Sequence, residues 1–418
     1  MATPADRDYA LHLDAADPLA EFRDRFHIPP DAAGKSLAYL CGHSLGLQPK
    51  AARDLVIEEL DAWARLGVEG HFKGDAPWYT YHELLREPGA RLVGARPDEV
   101  VFMKGLTVNL HLLMATFYRP TRERDAILID EPTFPSDRYA ILAQVRHHGR
   151  DESALLPCPA EEDRIEEVLE REGDRIAVVW LAGVNFLSGR RLDLERLTKA
   201  AHGRGCLVGL DLAHAAGNVP LSLHDWDVDF AVWCSYKYLN GGPGAVAGAF
   251  VHERHGQDLN LPRLAGWWGN DPTTRFRMQL ERDFVPRAGA DGWQVSNPPI
   301  LALAPLRASL GLFDEATMPA LWAKSERLTG YLIDLLSLLP SSRCEVLTPR
   351  DPARRGCQVS LRIPDRPREV QKALQAAGVV CDFREPDVIR AAPVPLYNTF
   401  SEVWTFARTL AGDAWPSR

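Results

Sequence analysis

The chain has 418 residues, with 48 Lys and Arg against 57 Asp and Glu, a formal net charge of −9 and 46% hydrophobic residues. No cluster of basic side chains interrupts the acidic excess, which argues against a nucleic-acid or anionic-membrane partner because both require such clusters. No uninterrupted apolar run approaches the roughly 18 residues of a membrane-spanning helix. The length favours about two or three domains with a large core.

The N-terminus and the cysteines indicate the compartment. The first 22 residues carry acidic side chains early and lack a basic stretch followed by an apolar run, so we expect no secretory signal. The seven cysteines are odd in number and contain no C-x-x-C pair, which is typical of reduced thiols. We therefore expect a cytoplasmic protein.

From about residue 95, short apolar runs alternate with longer amphipathic ones, which is typical of a parallel sheet with crossover helices. Helices are predicted over 108–118, with Thr107 as N-cap, and over 192–202, before a glycine-rich stop. The pattern predicts an α/β fold with strands at 99–103, 126–130, 176–182, 206–211, 230–235 and 246–251.

After residue 300 the pattern changes to long amphipathic helices, predicted over 303–315 and 319–339. Three short strands (357–363, 379–383 and 388–394) alternate with a helix over 368–378, and a final helix starts at Ser401. These elements predict a small C-terminal α+β domain. We expect a large domain over 46–305 and a small one over 306–418, with the N-terminal segment 1–45 packing on the small domain.

Lys237 ends a predicted apolar strand and is flanked by two tyrosines before a glycine-rich turn. Burial disfavours the ammonium form and lowers the pKa of a lysine, which suits an amine that forms a Schiff base. The alternative is a lysine at a strand end whose stem reaches back to water. The residues alone leave both interpretations open.

Asp211 ends another predicted strand, and His214 follows three residues later. A carboxylate at the carboxyl end of a parallel strand points into the ligand crevice, where it would keep a pyridine nitrogen protonated. One alternative is a helix N-cap. Another is a metal hydrolase built on Asp211, His214 and His224, although no typical spacing of zinc ligands supports it.

Three further segments are candidates for ligand contacts. The loop at 104–107 enters a helix whose free amides suit a phosphate, or it is a plain Thr-capped turn. Segment 134–137 offers Phe134 as a stacking face with Ser136 and Asp137 as polar contacts, or is a Pro turn with a capping side chain. Arg390 is a candidate bidentate clamp for a carboxylate.

Eight segments together resemble the kynureninase family, which are pyridoxal-phosphate enzymes of the aspartate aminotransferase fold (fold type I, class V). SYKYLN combined with DLAH and FPSD is the most specific part of the resemblance. In two places this chain departs from the family pattern, since His43 replaces a frequent Asn and Ala182 a frequent Ser. The segments are GHSLGLQPKA (42–51), LTVNLHLLM (106–114), FPSD (134–137), DLAHAAGNVPL (211–221), HDWDVDFAVWCSYKYLNGGPGA (224–245), GWWG (266–269), SNPPIL (296–301) and APVPLYNTF (392–400).

The resemblance implies fold type I, with a large, mostly parallel sheet flanked by helices and a small C-terminal α+β domain. It implies pyridoxal 5′-phosphate as cofactor and hydrolytic cleavage of the Cβ–Cγ bond of L-kynurenine, or its 3-hydroxy form, to anthranilate or 3-hydroxyanthranilate and L-alanine in tryptophan catabolism. It also implies a homodimer, with no nucleic acid, membrane or metal. In the family pattern Lys237 forms the Schiff base, Asp211 faces the pyridine nitrogen, and Tyr236 is our candidate for the acid that protonates the product carbon.

The family pattern also implies the binding residues. Those for the cofactor would be Leu106, Thr107, Phe134, Pro135, Ser136, Asp137, Asp211, His214, Tyr236, Lys237 and, from across a dimer interface, Trp267 and Asn297. Those for the substrate would be Ser44, His71, Asn270, Ser296 and Arg390, with Arg384 competing for the substrate carboxylate. Asn270 stands where human-type enzymes carry His, which favours L-kynurenine over its 3-hydroxy form.

Two other functions remain open. A cysteine desulfurase or selenocysteine lyase of the same cofactor class needs a mobile reactive cysteine, whereas Cys206 and Cys234 lie in apolar strand patterns typical of inert core thiols. A catalytically silent homologue would bind a partner through its tryptophan-rich loops. The combination of Lys237, Asp211 and the FPSD segment argues against that second alternative.

Overall fold

The computed structural model describes residues 3–415, which form three sheets covered by helices. The helices are α1 (Arg7–Ala15), α2 (Ala51–Leu66), α3 (Arg86–Val93), α4 (Leu106–Phe117), α5 (Pro135–His147), α6 (Glu162–Glu172), α7 (Leu194–His202), α8 (Glu253–Gly256), α9 (Ile300–Ala316), α10 (Met318–Ser337), α11 (Pro367–Ala376) and α12 (Phe400–Ala411). The strands are β1 (Ala38–Tyr39), β2 (Val100–Phe102), β3 (Ala126–Glu131), β4 (Leu155–Pro159), β5 (Ile176–Ala182), β6 (Leu207–Asp211), β7 (Phe230–Trp233), β8 (Gly248–Val251), β9 (Glu345–Val346), β10 (Val359–Arg362), β11 (Val379–Val380), β12 (Asp382–Arg384) and β13 (Val388–Ala391). None of the helices within 3–415 combines the length and apolarity needed to cross a membrane.

The main sheet has the strand order β2-β8-β7-β6-β5-β3-β4. Strands β3 to β7 are parallel to one another, which confirms the predicted, mostly parallel α/β fold. The predicted strand at 246–251 departs from the parallel pattern, since β8 is antiparallel to both β7 and β2. A parallel neighbour requires a crossover connection, and the segment between β7 and β8 contains no helix.

The sequence pattern missed strand β4, which pairs with β3 at one edge of the sheet. It contains Pro157 and Pro159, which cannot donate hydrogen bonds to a neighbouring strand. An edge strand tolerates proline because one of its sides needs no partner. The two prolines argued against a strand in the sequence, although an edge position such as that of β4 accepts them.

Helix α4 begins two residues before its predicted start. The predicted cap, Thr107, lies within the first turn, and Gly105 precedes the helix without a side-chain cap. Helix α7 begins at Leu194, where the Asp193 side chain accepts a hydrogen bond from the backbone N–H of Arg196 at 3.1 Å. The missing cap on α4 leaves its first amides available to a ligand.

The apolar side chains form one core around the main sheet and another in the C-terminal part. Ala10, Ala38 and Leu40 from the N-terminal segment belong to the C-terminal core, and β1 pairs with β11. Helix α10 passes from the first core at Leu321 to the second at Leu328. The N-terminal segment is therefore packed with the C-terminal part.

The carboxyl ends of the parallel strands form the edge that carries the candidate site. Asp211 ends β6 directly opposite Ala182, the last residue of β5. Asp130 lies near the end of β3, and Lys237 follows β7 four residues after its last residue. Ligands bind at this edge in open α/β sheets.

Candidate active site

Lys237 is buried, with 9% of its surface exposed. Its Nζ atom lies 5.7 Å from the centroid of the Phe134 ring. This position excludes a lysine that reaches back to water. The amine instead faces an aromatic ring inside the protein, as the Schiff-base interpretation requires.

Asp211 and Asp137 form a buried pair of carboxyl groups beside the lysine. Burial raises the pKa of Asp211, and the charge of Lys237 opposes the rise. Burial, followed by the charge of Asp211, raises the pKa of Asp137 well above its ordinary value. Asp137 is therefore the protonated partner and donates a hydrogen bond to the Asp211 carboxylate.

The second oxygen of each carboxyl group is also held. Asp211 Oδ1 accepts a hydrogen bond from the backbone N–H of Ala213 at 2.8 Å, but no helix lies between β6 and β7, so the helix N-cap interpretation of Asp211 is wrong. Trp180 Nε1 donates to Asp137 Oδ2 at 3.3 Å. The pair is thereby fixed in orientation at the end of β6.

Helices α4 and α5 begin next to each other at the same edge. The Thr107 and Ser136 hydroxyl oxygens, from the first turn of each helix, are 3.2 Å apart. Neither helix has a side-chain cap at its N-terminus. Two uncapped helix N-termini and two hydroxyl groups form a binding place for an anion such as phosphate.

The turn at 42–46 lies against the lysine segment. The backbone N–H of Gly46 donates to the Tyr236 carbonyl oxygen at 2.8 Å, and a Cβ atom on Gly46 would collide with the carbonyl oxygen of Lys237. A Cβ atom on Gly42 would collide with the hydroxyl group of Tyr397. The two glycines therefore allow three distant segments of the chain to meet at the site.

His43 and His214 are buried beside these groups, with ring centroids 6.3 Å apart. Burial, reinforced by the charges of Arg390 and Lys237, holds the pKa of both histidines well below the ordinary value, so both are neutral. Within the described residues, both ring nitrogens of His43 and Nδ1 of His214 lack a hydrogen-bond partner. These unpaired polar atoms suit a site that receives a polar ligand.

Asp130 is a site residue that sequence reasoning missed. It is 1% exposed, and its Oδ1 accepts a hydrogen bond from the backbone N–H of Ala182 at 2.9 Å. Burial raises its pKa from 3.8 to about 7. Its Oδ2 has no partner among the described residues and lines a cavity of about 10 Å³ shared with Asp137 and Asp211. An acidic residue near the end of an apolar strand was the available signal.

Arg390, the predicted carboxylate clamp, is 1% exposed. One of its terminal nitrogens donates to the Phe186 carbonyl oxygen and the other to Asp382 Oδ2, both at 2.6 Å. Arg384 also pairs with Asp382, and its side chain is 39% exposed. Asp382 was missed because the segment 379–383 was interpreted as one strand, whereas β11 and β12 pair with different partners.

The single chain does not bring all predicted residues together. Across residues 3–415, no hydrogen bond, ion pair or ring contact joins five of them to Lys237 or Asp211. Two of the five, at 296 and 297, are exposed. The five are His71, Trp267, Asn270, Ser296 and Asn297.

Asn270 is held within its own loop. Its amide nitrogen donates to Thr274 Oγ1 at 3.1 Å, and its amide oxygen accepts from the backbone N–H of Val285 at 2.9 Å. The Trp267 ring lies 6.4 Å from that of Phe276, which is 57% exposed. The 266–286 loop thus presents aromatic surface outward.

The metal alternative has no geometric support. In the described part of the chain, the His224 side chain lies within metal-binding distance of Glu99 and His252. It does not form such a group with Asp211 or His214. His224 Nδ1 lies 2.9 Å from Glu99 Oε1. The grouping predicted for a metal hydrolase is therefore not formed.

The fold is that of the fold type I pyridoxal-phosphate enzymes. A mutant of the cystine C-S lyase C-DES, with glycine covalently linked to the cofactor, matches with a TM-score of 0.75 and 18% identity, over 90% of this chain and 96% of that one. The Escherichia coli cysteine desulfurase CsdA matches with a TM-score of 0.73 and 18% identity, over 94% of this chain and 97% of that one. These likenesses confirm the predicted fold class.

Sequence relatives define the family more closely. Kynureninases from Myxococcus xanthus and Koribacter versatilis are 56% and 53% identical, over 99% and 97% of this chain and 100% and 97% of those proteins. The kynureninase of Xanthomonas oryzae is 54% identical over 99% of both chains. The family model of the kynureninase C-terminal domain matches residues 321–410. The chain belongs to the kynureninase family, and its cofactor is pyridoxal 5′-phosphate.

Proposed function

We propose that this chain hydrolyses the Cβ–Cγ bond of L-kynurenine, releasing anthranilate and L-alanine as a step in tryptophan catabolism. Its membership of the kynureninase family supports the reaction. The structural observation that carries the proposal is the buried amine of Lys237 between Phe134 and the Asp211 carboxylate. L-kynurenine is the proposed substrate, and the 3-hydroxy form is the alternative that a direct comparison of rates would decide.

The residues present fit pyridoxal phosphate. Asp211 is a buried carboxylate whose charge needs a cation, and a protonated ring nitrogen supplies one. Thr107 and Ser136, at the two uncapped helix N-termini, would hold the phosphate together with the backbone amide of Leu106. Pro135 is the first residue of α5 and would lie beside them. Phe134 would cover one face of the ring, and His214, whose Nδ1 has no hydrogen-bond partner among the described residues, would also contact the cofactor.

Bound pyridoxal phosphate supplies a protonated ring that withdraws electrons from the substrate α-carbon. Asp211 keeps that ring protonated, and the neutral Asp137 beside it adds no second negative charge. The Lys237 amine would hold the cofactor before substrate arrives and then remove the proton from the α-carbon. Each of these tasks uses a group that the fold already holds in place.

Tyr236 is proposed as the acid that protonates the carbon left after anthranilate departs. Burial, with a contribution from the Cys234 thiol, raises the pKa of Tyr236 above its ordinary value. The phenol therefore keeps its proton at neutral pH and can donate it. It immediately precedes Lys237, and its carbonyl oxygen is fixed by the Gly46 N–H.

The five residues that lie apart from Lys237 are proposed to act across a symmetric homodimer. Exposed apolar side chains surround Trp267 and its loop, and such patches mark contact surfaces. Trp267 and Asn297 would reach the cofactor of the partner subunit, and His71, Asn270 and Ser296 the substrate. The exposed apolar side chains of this region include Phe72 at 57%, whose ring lies 5.6 Å from that of Phe276, Phe276 itself at 57% and Leu280 at 72%.

We also propose the division into residues 1–45, 46–305 and 306–418, and a cytoplasmic location. The shared core of the N-terminal and C-terminal segments supports the first part of that division. Reduced thiols support the location, since the described cysteines are all free. The proposed boundary at 305/306 lies inside helix α9, so limited proteolysis would test the division by whether the first cuts fall in the loops that flank this helix.

The alternative function is a desulfurase or selenocysteine lyase. Cys206 and Cys234 are 1% and 3% exposed, and burial raises the pKa of both thiols. Burial also raises the pKa of Cys41 to about 11 and that of Cys381 to about 12, although both lie nearer the surface. None of these four thiols has the exposure and low pKa of a reactive cysteine.

A substrate comparison separates the two functions. The purified protein, loaded with pyridoxal phosphate, is supplied with L-kynurenine in one assay and with L-cysteine in another. We expect anthranilate fluorescence from the first and no sulfide from the second. Sulfide release without anthranilate would replace the proposed reaction by the alternative one.

A further inference from the structure

One carboxylate, Asp382, lies between the two arginines that compete for the substrate carboxylate. Asp382 and Arg390 face each other on the paired strands β12 and β13. The terminal nitrogen of Arg390 donates to Asp382 Oδ2 at 2.6 Å. Arg384 contributes Nε, 3.0 Å from Oδ1, and a terminal nitrogen that donates to Oδ2 at 3.1 Å. The carboxylate therefore engages both guanidinium groups.

The Arg390 guanidinium is held on two sides and free on the third. Its two terminal nitrogens donate to the Phe186 carbonyl oxygen and to Asp382. Its Nε is buried and has no hydrogen-bond partner among the described residues. A guanidinium has five N–H donors, so the edge that contains Nε remains available for a bidentate carboxylate.

Arg384 differs in both exposure and contacts. Its side chain is 39% exposed, against 1% for Arg390, and both of its described polar contacts go to Asp382. The Nε of Arg384, like that of Arg390, has no hydrogen-bond partner among the described residues. The one hydrogen bond and the ion pair of this exposed arginine both go to Asp382, so Arg384 neutralises that carboxylate. With Arg384 balancing Asp382, the positive charge of Arg390 remains for an incoming anion.

The turn at 42–46 is connected to the same carboxylate. The Ser44 hydroxyl donates to Asp382 Oδ2 at 3.2 Å, and His43 Nε2 lies 3.9 Å from that oxygen. His43 is completely buried and neutral, so it does not compensate the charge of Asp382. Arg384 and Arg390 are thus the cations that hold Asp382.

We propose that Asp382 is a positioning residue that fixes Arg390 with its Nε edge toward the α-carboxylate of the substrate, while Arg384 neutralises Asp382. This inference rests on the proposed function, because it takes the substrate to be an α-amino acid. It assigns the substrate carboxylate to Arg390 and gives Arg384 a supporting role. Asp382 itself does not touch the substrate.

The test compares two ligands that differ only in the carboxylate. L-alanine and L-alaninamide are titrated into the cofactor-loaded protein, and binding is followed by the visible absorbance of the cofactor. Because a hydrogen bond to a charged group is lost, we expect D382N to weaken L-alanine binding about tenfold or more and to leave L-alaninamide within about twofold. In steady state, the KM for L-kynurenine should rise about as much, with a smaller change in kcat.

Arg384→Gln and Arg390→Gln form the matched pair that tests the assignment if D382N does not fold. We expect Arg390→Gln to abolish the preference for L-alanine over its amide, and Arg384→Gln to keep most of it. Equal weakening of both ligands by D382N, or an Arg384→Gln loss as large as that of Arg390→Gln, would overturn the inference. Failure of the wild type to release anthranilate would overturn only the proposed function, since the ligand comparison needs no turnover.

Discussion

The carboxyl group of Asp137 donates a hydrogen bond to the carboxylate of Asp211, and both are buried at the carboxyl end of β6. Two adjacent buried carboxyl groups do not both ionise, because each negative charge raises the pKa of the other. The pair thus contributes one negative charge, located on Asp211. In the proposed function, that charge would pair with the cationic ring nitrogen of the cofactor.

Because the negative charge is assigned to Asp211, we expect a large loss of activity from Asp211→Asn and a small one from Asp137→Asn. Asp211→Asn removes the negative charge, and we expect kcat/KM to fall on the order of 10²-fold or more. Asp137→Asn replaces a neutral donor by another neutral donor, so we expect a loss below about tenfold. Anthranilate release under steady-state conditions measures both. A loss in Asp137→Asn equal to that in Asp211→Asn would show that the charge does not reside on Asp211.

The buried carboxyl group of Asp130 is expected to make the stability of the cofactor-free protein depend on pH. Its pKa is raised from 3.8 to about 7 by burial, so as pH rises the unfolded chain releases this proton before the folded one does. The contribution to stability is complete below pH 3.8 and is lost as pH rises to about 7. Asp130→Asn removes this loss, and its stability advantage over the wild type should grow by about 2 kcal/mol between pH 5.5 and pH 8.

Urea denaturation of the cofactor-free protein at the two pH values measures the difference. The neighbouring Glu131→Gln is the control, because the Glu131 side chain is 49% exposed and its loss should give no such pH dependence. A stability difference between Asp130→Asn and the wild type that stays constant from pH 5.5 to 8 would contradict the raised pKa of Asp130.

Tyr236→Phe tests the proposed proton donor. Because the phenol is expected to deliver a proton after bond cleavage, kcat should fall on the order of 10²-fold when the protein is saturated with cofactor. Tyr238→Phe is the matched control, since Tyr238 is buried and its ring packs 6.1 Å from His214. Stopped-flow and steady-state measurements on both variants report the rate. A fully active Tyr236→Phe would remove this role from Tyr236.

A site shared between subunits can be tested with a hybrid dimer. Lys237→Ala and Asn297→Ala chains, carrying different affinity tags, are co-expressed, and the hybrid is compared with each parent. If Asn297 serves the partner subunit, one of the two sites in each hybrid is intact, and we expect about half of the wild-type activity. A hybrid with about half the activity of its Asn297→Ala parent would place Asn297 in the site of its own chain.

The predicted residues that the structure brings together at the candidate site share a local origin. Asp211 and Lys237 lie at or just after the ends of apolar strands, and strand ends in a parallel sheet meet at one edge whatever the loops do. The FPSD segment, predicted as ligand contacts or a Pro turn, lies at the start of α5 with Pro135 at the first helical position, which proline favours. These features depend on residues close together in the chain.

The features that the sequence did not predict depend on pairing between distant residues. Asp382 is significant only because β12 pairs with β13 and places it opposite Arg390. The antiparallel direction of β8 and the start of α4 at Leu106, without a side-chain cap, are likewise not marked by a local pattern. Long-range pairing of this kind is not expressed in the periodicity of a single segment.

The central claim is that the chain cleaves L-kynurenine with Lys237 as the essential amine. The most direct measurement follows anthranilate and L-alanine together in a time course, with the cofactor-loaded wild type and the Lys237→Ala variant side by side. We expect equal amounts of the two products from the wild type and none from the variant. Absence of anthranilate from a wild type that shows the normal visible absorbance of bound cofactor would contradict the claim.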